Sequence, residues 1–139
     1  MQSKTLLAAL ALAMLAPTAH AQQGQQLAPL PSLSLMQETG LRCSAAFALV
    51  AYDQKRKAPG ASNYPDLGER GREYFVRTIA RLMDETGATR DQVQVLLRQR
   101  VDSLQKGAIE SKNPAEFVSR TITACLPLLD LEVPLRPAR

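Results

Sequence analysis

Cys43 and Cys125 are the only cysteines of the 139-residue chain, and sulfur chemistry is the first that its residues could do. A redox centre normally draws its attacking and resolving sulfurs from one C-x-x-C turn at a helix start, whereas these two stand 82 positions apart. Each falls on the apolar stripe of a helical segment, one early and one late. In an oxidising compartment two such cysteines pair as a disulfide that staples the ends of the chain together. An intermolecular bridge and two buried free thiols are the alternatives.

Other catalytic arrangements find few residues to build them. His20 is the only histidine, and it lies inside a stretch that reads as a secretory leader. Lys4 provides the positive start and Leu6–Leu15 the uncharged apolar run. Pro17 breaks that run, and Ala19-His20-Ala21 supplies small residues for cleavage after Ala21. The run is too short to span a bilayer, which takes about 20 apolar residues. The exported chain is therefore expected to be free of stable membrane insertion and to contain no imidazole. That removes Ser/His/Asp and Cys/His catalysis and His-bearing zinc sites. Ser103-Leu104-Gln105-Lys106 matches the Ser-x-x-Lys of penicillin-recognising enzymes, but the SDN and KTG elements that accompany it are missing. Asp102 and Lys106 read instead as an exposed i,i+4 pair. The acids Glu69, Glu73, Asp84 and Glu85 could in principle flank a bond or hold a cation. Spacing favours surface pairs, with Glu73 four before Arg77 and Arg81 four before Glu85. No catalytic residue, cofactor site or metal site is expected.

The elements that carry these residues are helical. Residues 22–34, rich in Gln and Pro, read as a flexible lead-in. A first helix over about Leu35–Lys55 gathers Met36, Cys43, Phe47 and Val50 on one side, and Lys55-Arg56-Lys57 suit its C-terminus. That cation run could alternatively meet anionic lipid. A Pro-, Gly- and Asn-bearing loop precedes a second helix, started by Asp66, ended by Gly87 and stripped inward at Gly71, Tyr74, Phe75, Thr78, Ile79 and Leu82. Gly68 and Gly71 in its first turns suggest close approach by another helix. Thr89 and Gln92 form a capping-box pattern for a third helix with Val93, Leu96, Leu97, Val101 and Leu104 on one face. Asn113-Pro114 open a fourth, carrying Val118, Ile122, Cys125 and Leu129, with Pro127 loosening its end. Residues 130–139 read as an extended tail. The expected fold is all-α, one domain over 35–129, a small bundle of about four amphipathic helices whose first and last are joined through Cys43 and Cys125.

The stretch around Gly87, with Arg90, Gln92 and Gln94 following, resembles a DNA-binding helix-turn-helix. Export would separate the chain from DNA, and a formal net charge of +4 is only mildly basic. "LRCSAAFALVA", "RGREYFVRTIARLMDETG" and "ACLPLL" together are similar to small exported two-cysteine helical proteins of Gram-negative bacteria, a group with no assigned activity. A looser likeness is to periplasmic acid-stress chaperones, which are helical with one disulfide. The expectation is a periplasmic or secreted, non-enzymatic protein that acts by contact with an envelope protein partner and binds no nucleic acid. A periplasmic holdase is the alternative, and a DNA-binding protein if the chain is not exported.

Overall fold

The computed structural model describes residues 28–135, so the expected leader, the first part of the lead-in and the last four residues lie outside the described residues. Among the described residues there are four α-helices: α1 (Leu35–Lys55), α2 (Gly68–Thr86), α3 (Arg90–Glu110) and α4 (Pro114–Glu132). Local chemistry sets their ends. Ser34 Oγ accepts the N–H of Gln37 while Gln37 Oε1 accepts that of Ser34, a capping box that starts α1. Thr89 and Gln92 repeat the arrangement at α3. Asn113 Oδ1 accepts the Glu116 N–H at α4, with Pro114 in the first turn where its missing donor is harmless. At α2 the first N–H, from Gly68, goes to Asp66 Oδ1 at 2.9 Å, and Gly87 stops the helix in a left-handed conformation with φ 69°.

The connection from α1 to α2 is organised by one side chain. Gln54 reaches from the last turn of α1 to three loop carbonyls, Ala61 at 3.2 Å, Tyr64 at 3.3 Å and Pro65 at 2.9 Å, and its Oε1 accepts the Leu67 N–H at 3.1 Å. A short 3-10 turn at Ala61–Asn63 folds within this grip.

α1 occupies the middle of the bundle and meets each of the other three helices. Five consecutive residues, Cys43, Ser44, Ala45, Ala46 and Phe47, are all buried. Consecutive positions point around the whole circumference of a helix, so this stretch must be covered from every side. Small side chains make that possible. α2 lies antiparallel along α1 at close range: a Cβ at Gly71 would stand 3.2 Å from Phe47 Cβ, and one at Gly40 would stand 3.0 Å from Thr78 Cγ2. The Phe47 and Tyr74 rings meet edge to face, centroids 5.2 Å apart. On another side Cys43 is bonded to Cys125 of α4, Cα to Cα 5.5 Å, and Ile122 and Leu129 seal the core beside it. A second apolar cluster, Leu41, Leu82, Ala88, Val93 and Leu96, closes the α2–α3 end.

The structure is the expected all-helical bundle with its first and last helices joined by the disulfide. Four details differ. α1 is buried around its circumference from Cys43 to Phe47 rather than along one stripe, and Met36, placed inward by its spacing, is 69% exposed in the first turn. In α2 Gly71, Tyr74 and Leu82 are buried as the stripe implies, but Phe75 and Ile79 are only half-buried. The described part of the lead-in packs on the bundle, with Leu30 and Leu33 against the second cluster and the Gln92 amide donating to the carbonyls of Ala28 and Pro29. Finally α4 continues through Pro127 to Glu132, so the residues read as the start of the tail are helical. Pro127 and Thr123, whose carbonyl loses its partner there, are both exposed, and water can satisfy that oxygen.

A disulfide closing a loop this long stabilises by about 4–5 kcal/mol in the chain-entropy description, before native strain is subtracted. Replacing both sulfurs, Cys43→Ala with Cys125→Ala, should lower the unfolding free energy in urea by about 2–5 kcal/mol. Gln54→Ala, which strands loop carbonyls and the Leu67 amide, should lose about 1–3 kcal/mol. Gln54→Glu should be no better, because a carboxylate keeps the acceptor but sets negative charge against the carbonyls.

Candidate functional site

Arginines at positions 70, 77 and 81 of α2 recur at intervals of seven and four, which places them on one face of the helix. That face meets the end of α4, where unpaired carbonyls carry the negative end of the helix dipole. Arg70, only 19% exposed, donates to the Val133 carbonyl through Nε and Nη2 at 3.1 and 2.8 Å and pairs with Asp130 Oδ1 at 2.6 Å. Arg77 donates to the Glu132 carbonyl at 2.9 Å while its Nε holds Glu73 at 2.7 Å. Arg81 pairs with the Glu132 carboxylate at 2.7 Å. Three cations of one helix thus hold both the acids and the terminal carbonyls of another. The chain is pinned as far as Val133, and Leu131 and Leu135 are left 76% and 73% exposed on either side of the pinned residues.

Electrostatics follow the geometry. The hydrogen bond from Arg81 is the main reason that the Glu132 carboxyl lies below the ordinary value of 4.5, and the same contact raises the Arg81 guanidinium. Tyr74, beneath them, is pushed above the ordinary 10.0 chiefly by burial, with the nearby Glu132 charge adding to it and a hydrogen bond with Thr78 opposing it.

On the far side of α1 a cleft of about 370 Å³ opens between α1, α3 and α4. Val50, Leu104 and Ile122 form its buried floor and Leu49, Phe117 and Val118 its walls. Phe117 meets Gly107 of α3: a Cβ there would stand 2.6 Å from Phe117 Cζ, so the glycine lets the tip of the ring rest close against α3. The polar residues of the lining include Thr121, whose hydroxyl donates to the Phe117 carbonyl, and a group on the last turns of α1, Tyr52, Asp53 and Arg56. Arg56 Nε donates to Asp53 Oδ1 at 2.9 Å, and its guanidinium carbon stands 5.5 Å from the Tyr52 ring centre.

Cys43 and Cys125, the residues singled out in the sequence, are joined and buried. The expected pair of Arg81 with Glu85 gives way to Glu132, and Glu85 instead accepts from Gln37 Nε2 at 2.8 Å. Lys106 lies 3.8 Å from Glu110 rather than pairing with Asp102. The Glu73–Arg77 pair forms as the spacing implies. Of the helix-turn-helix side chains, Gln92 is buried and its amide holds the lead-in. The arginine clamp and the cleft were not anticipated. The recurrence of Arg70, Arg77 and Arg81 was a usable signal for the clamp; the cleft left none, since its walls come from three helices.

Among the described residues no helix is long and apolar enough to cross a membrane, and no group of three or more His, Cys, Asp or Glu side chains converges to hold a metal ion. No protein-family model, curated protein or solved structure matches the chain.

A carboxyl whose value is depressed on folding stabilises the fold above its unfolded value, and that stability disappears as pH falls through the folded value. Stability measured by urea titration should therefore drop below about pH 4.5, and Glu132→Gln should be less stable at neutral pH with a shallower acid limb. Tyr74 works in the opposite direction: being raised, it contributes stability that is lost as pH climbs past the ordinary tyrosine range. Tyr74→Phe should flatten the alkaline limb alone.

Proposed function

We propose that this chain is an exported, non-enzymatic helical protein of the bacterial envelope that acts by docking a protein partner on the ridge formed by α2 and the clamped end of α4. The reading places it with the small exported two-cysteine helical proteins that its sequence resembles. The observation that carries it is the clamp. Arg70, Arg77 and Arg81 immobilise the backbone at Glu132 and Val133, and Leu131 and Leu135 stand out in solvent beside it. Exposed leucines on a flexible tail lose conformational entropy when they bind; held on a fixed frame, they have less to lose. Val76, 54% exposed on α2, adds to the apolar content of that helix's outer side. The Cys43–Cys125 disulfide is compatible with an oxidising compartment.

A holdase is the second reading, and the acid sensitivity of the Arg81–Glu132 contact favours it: protonation of Glu132 loosens the end of α4 and frees apolar surface at low pH.

Fractionation of intact cells should find the chain in the periplasm with Gln22 as its first residue. A photoreactive amino acid at position 131 or 135 should cross-link one discrete partner there, and the same group at exposed Gln99 should not. Arg70→Ala, which releases the Val133 carbonyl without touching either leucine, should weaken the adduct. Adducts of equal yield from all three positions would overturn docking on the ridge. Suppression of client aggregation at pH 3 but not at pH 7, with no discrete adduct, would select the holdase.

A further inference from the structure

At the α2–α3 end of the bundle we infer a second docking site, separate from the ridge: a groove that takes an extended, proline-bearing segment of a partner protein and that the chain's own lead-in fills in cis. The resident segment shows the chemistry the groove accepts. Residues 28–33 read Ala-Pro-Leu-Pro-Ser-Leu. They run without helix or strand into Ser34, whose φ of −70° and ψ of 161° are those of an extended backbone. Pro29 and Pro31 favour the polyproline conformation, which repeats about every three residues. Leu30 and Leu33 therefore fall on one side, and both pack on the second apolar cluster.

The attachment is that of a ligand rather than of a core element. No residue from 28 to 33 is fully buried, whereas in the floor beneath them Leu41 is 0%, Leu82 2% and Leu96 3% exposed. Among the described residues no backbone-to-backbone hydrogen bond ties 28–33 to the bundle. The polar anchor is a single amide. Gln92, 7% exposed, has its Oε1 fixed by the Thr89 N–H at 2.9 Å, so its Nε2 is aimed at the lead-in, where the carbonyls of Ala28 and Pro29 accept at 3.3 and 2.8 Å. A buried amide stripped of those carbonyls is costly, so the groove suits an occupant that brings two acceptors in register with its leucines. Prolines fit that demand, because they have no N–H that would need an acceptor in return. Ser34 caps α1 through Gln37, so the segment before it can leave without uncapping the helix. While it stays, it competes at the high effective concentration of a tethered ligand, and a partner's segment binds only as far as the resident one gives way.

The test uses the oxidised chain from Gln22 onward and a peptide of the sequence Ala28–Ser34 with blocked ends. Leu30→Ser with Leu33→Ser loosens the resident segment and leaves the groove unaltered. That variant should bind the peptide saturably at one per chain, about tenfold or more tighter than the wild type does. A peptide with serine in place of both leucines should not bind. Adding Gln92→Glu keeps an acceptor for the Thr89 N–H but removes the two donors, and should weaken binding about tenfold. Thermal melts report whether each variant is folded. If the double serine variant is not, the wild type decides alone: excess peptide should move the Leu30 and Leu33 methyl NMR signals to the positions of a free chain, and unmoved signals would overturn the site. Equal affinity of wild type and variant would overturn it too, as would absence of binding by the folded variant. Concentration-dependent dimers of the wild type that exchange lead-ins would assign the groove to a second copy and overturn the partner reading.

Discussion

A helix that is buried at five successive positions has no outer face, and the rest of the bundle must be arranged around it. That is the situation of α1 from Cys43 to Phe47. Because the residues there include two alanines and a serine, the neighbouring helices can come close; because Phe47 is among them, one neighbour must yield space, and Gly71 does so. The close antiparallel seam with α2, the covalent seam with α4 and the contact with α3 are three solutions to one requirement. The requirement also carries a flaw. Ser44 Oγ is buried with no hydrogen-bond partner among the described residues, a position where a hydroxyl is unfavourable and where tight enclosure leaves it no room to turn outward.

Much of the fold was legible because it is written in short-range chemistry. Thr89 with Gln92, Asn113 with Pro114, and Gly87 each act within a few residues, and each does in the structure what its type implies. The cysteines were legible for a different reason: two sulfurs on apolar stripes have one obvious use outside a reducing compartment. Misreadings arose where the outcome depends on what lies opposite. Met36 has the spacing of a core residue but is mostly exposed, and Phe75 stays half-buried while the seam with α1 passes over its neighbour Tyr74. The Ser34–Gln37 box was hidden inside a proline-bearing stretch that looks structureless by composition. Pro127 suggested an ending that the helix does not take, since the lost hydrogen bond lies on the wet side.

The surfaces were less legible still. Arg81 has an acid four residues on, and local spacing alone assigns it there, yet a better acceptor arrives from 51 positions away. An ion pair between partners on separate helices forms only once both helices are in place, so no window of sequence can contain it. The same holds for the cleft, whose floor takes one residue each from α1, α3 and α4. Lys55-Arg56-Lys57 could be read as charges ending a helix, but nothing in that run says that Arg56 alone of the three lines the cleft.

The bond from Cys43 to Cys125 encloses α2 and α3 in a covalent ring. Within that ring the peptide backbone is no longer the only thread connecting the two ends of the molecule. A protease that nicks the α1–α2 connection would leave a single particle, its two pieces tied through sulfur and still locked around the central helix. Such a protein can outlast its own cleavage in a hydrolytic environment, and the damage would show only after reduction.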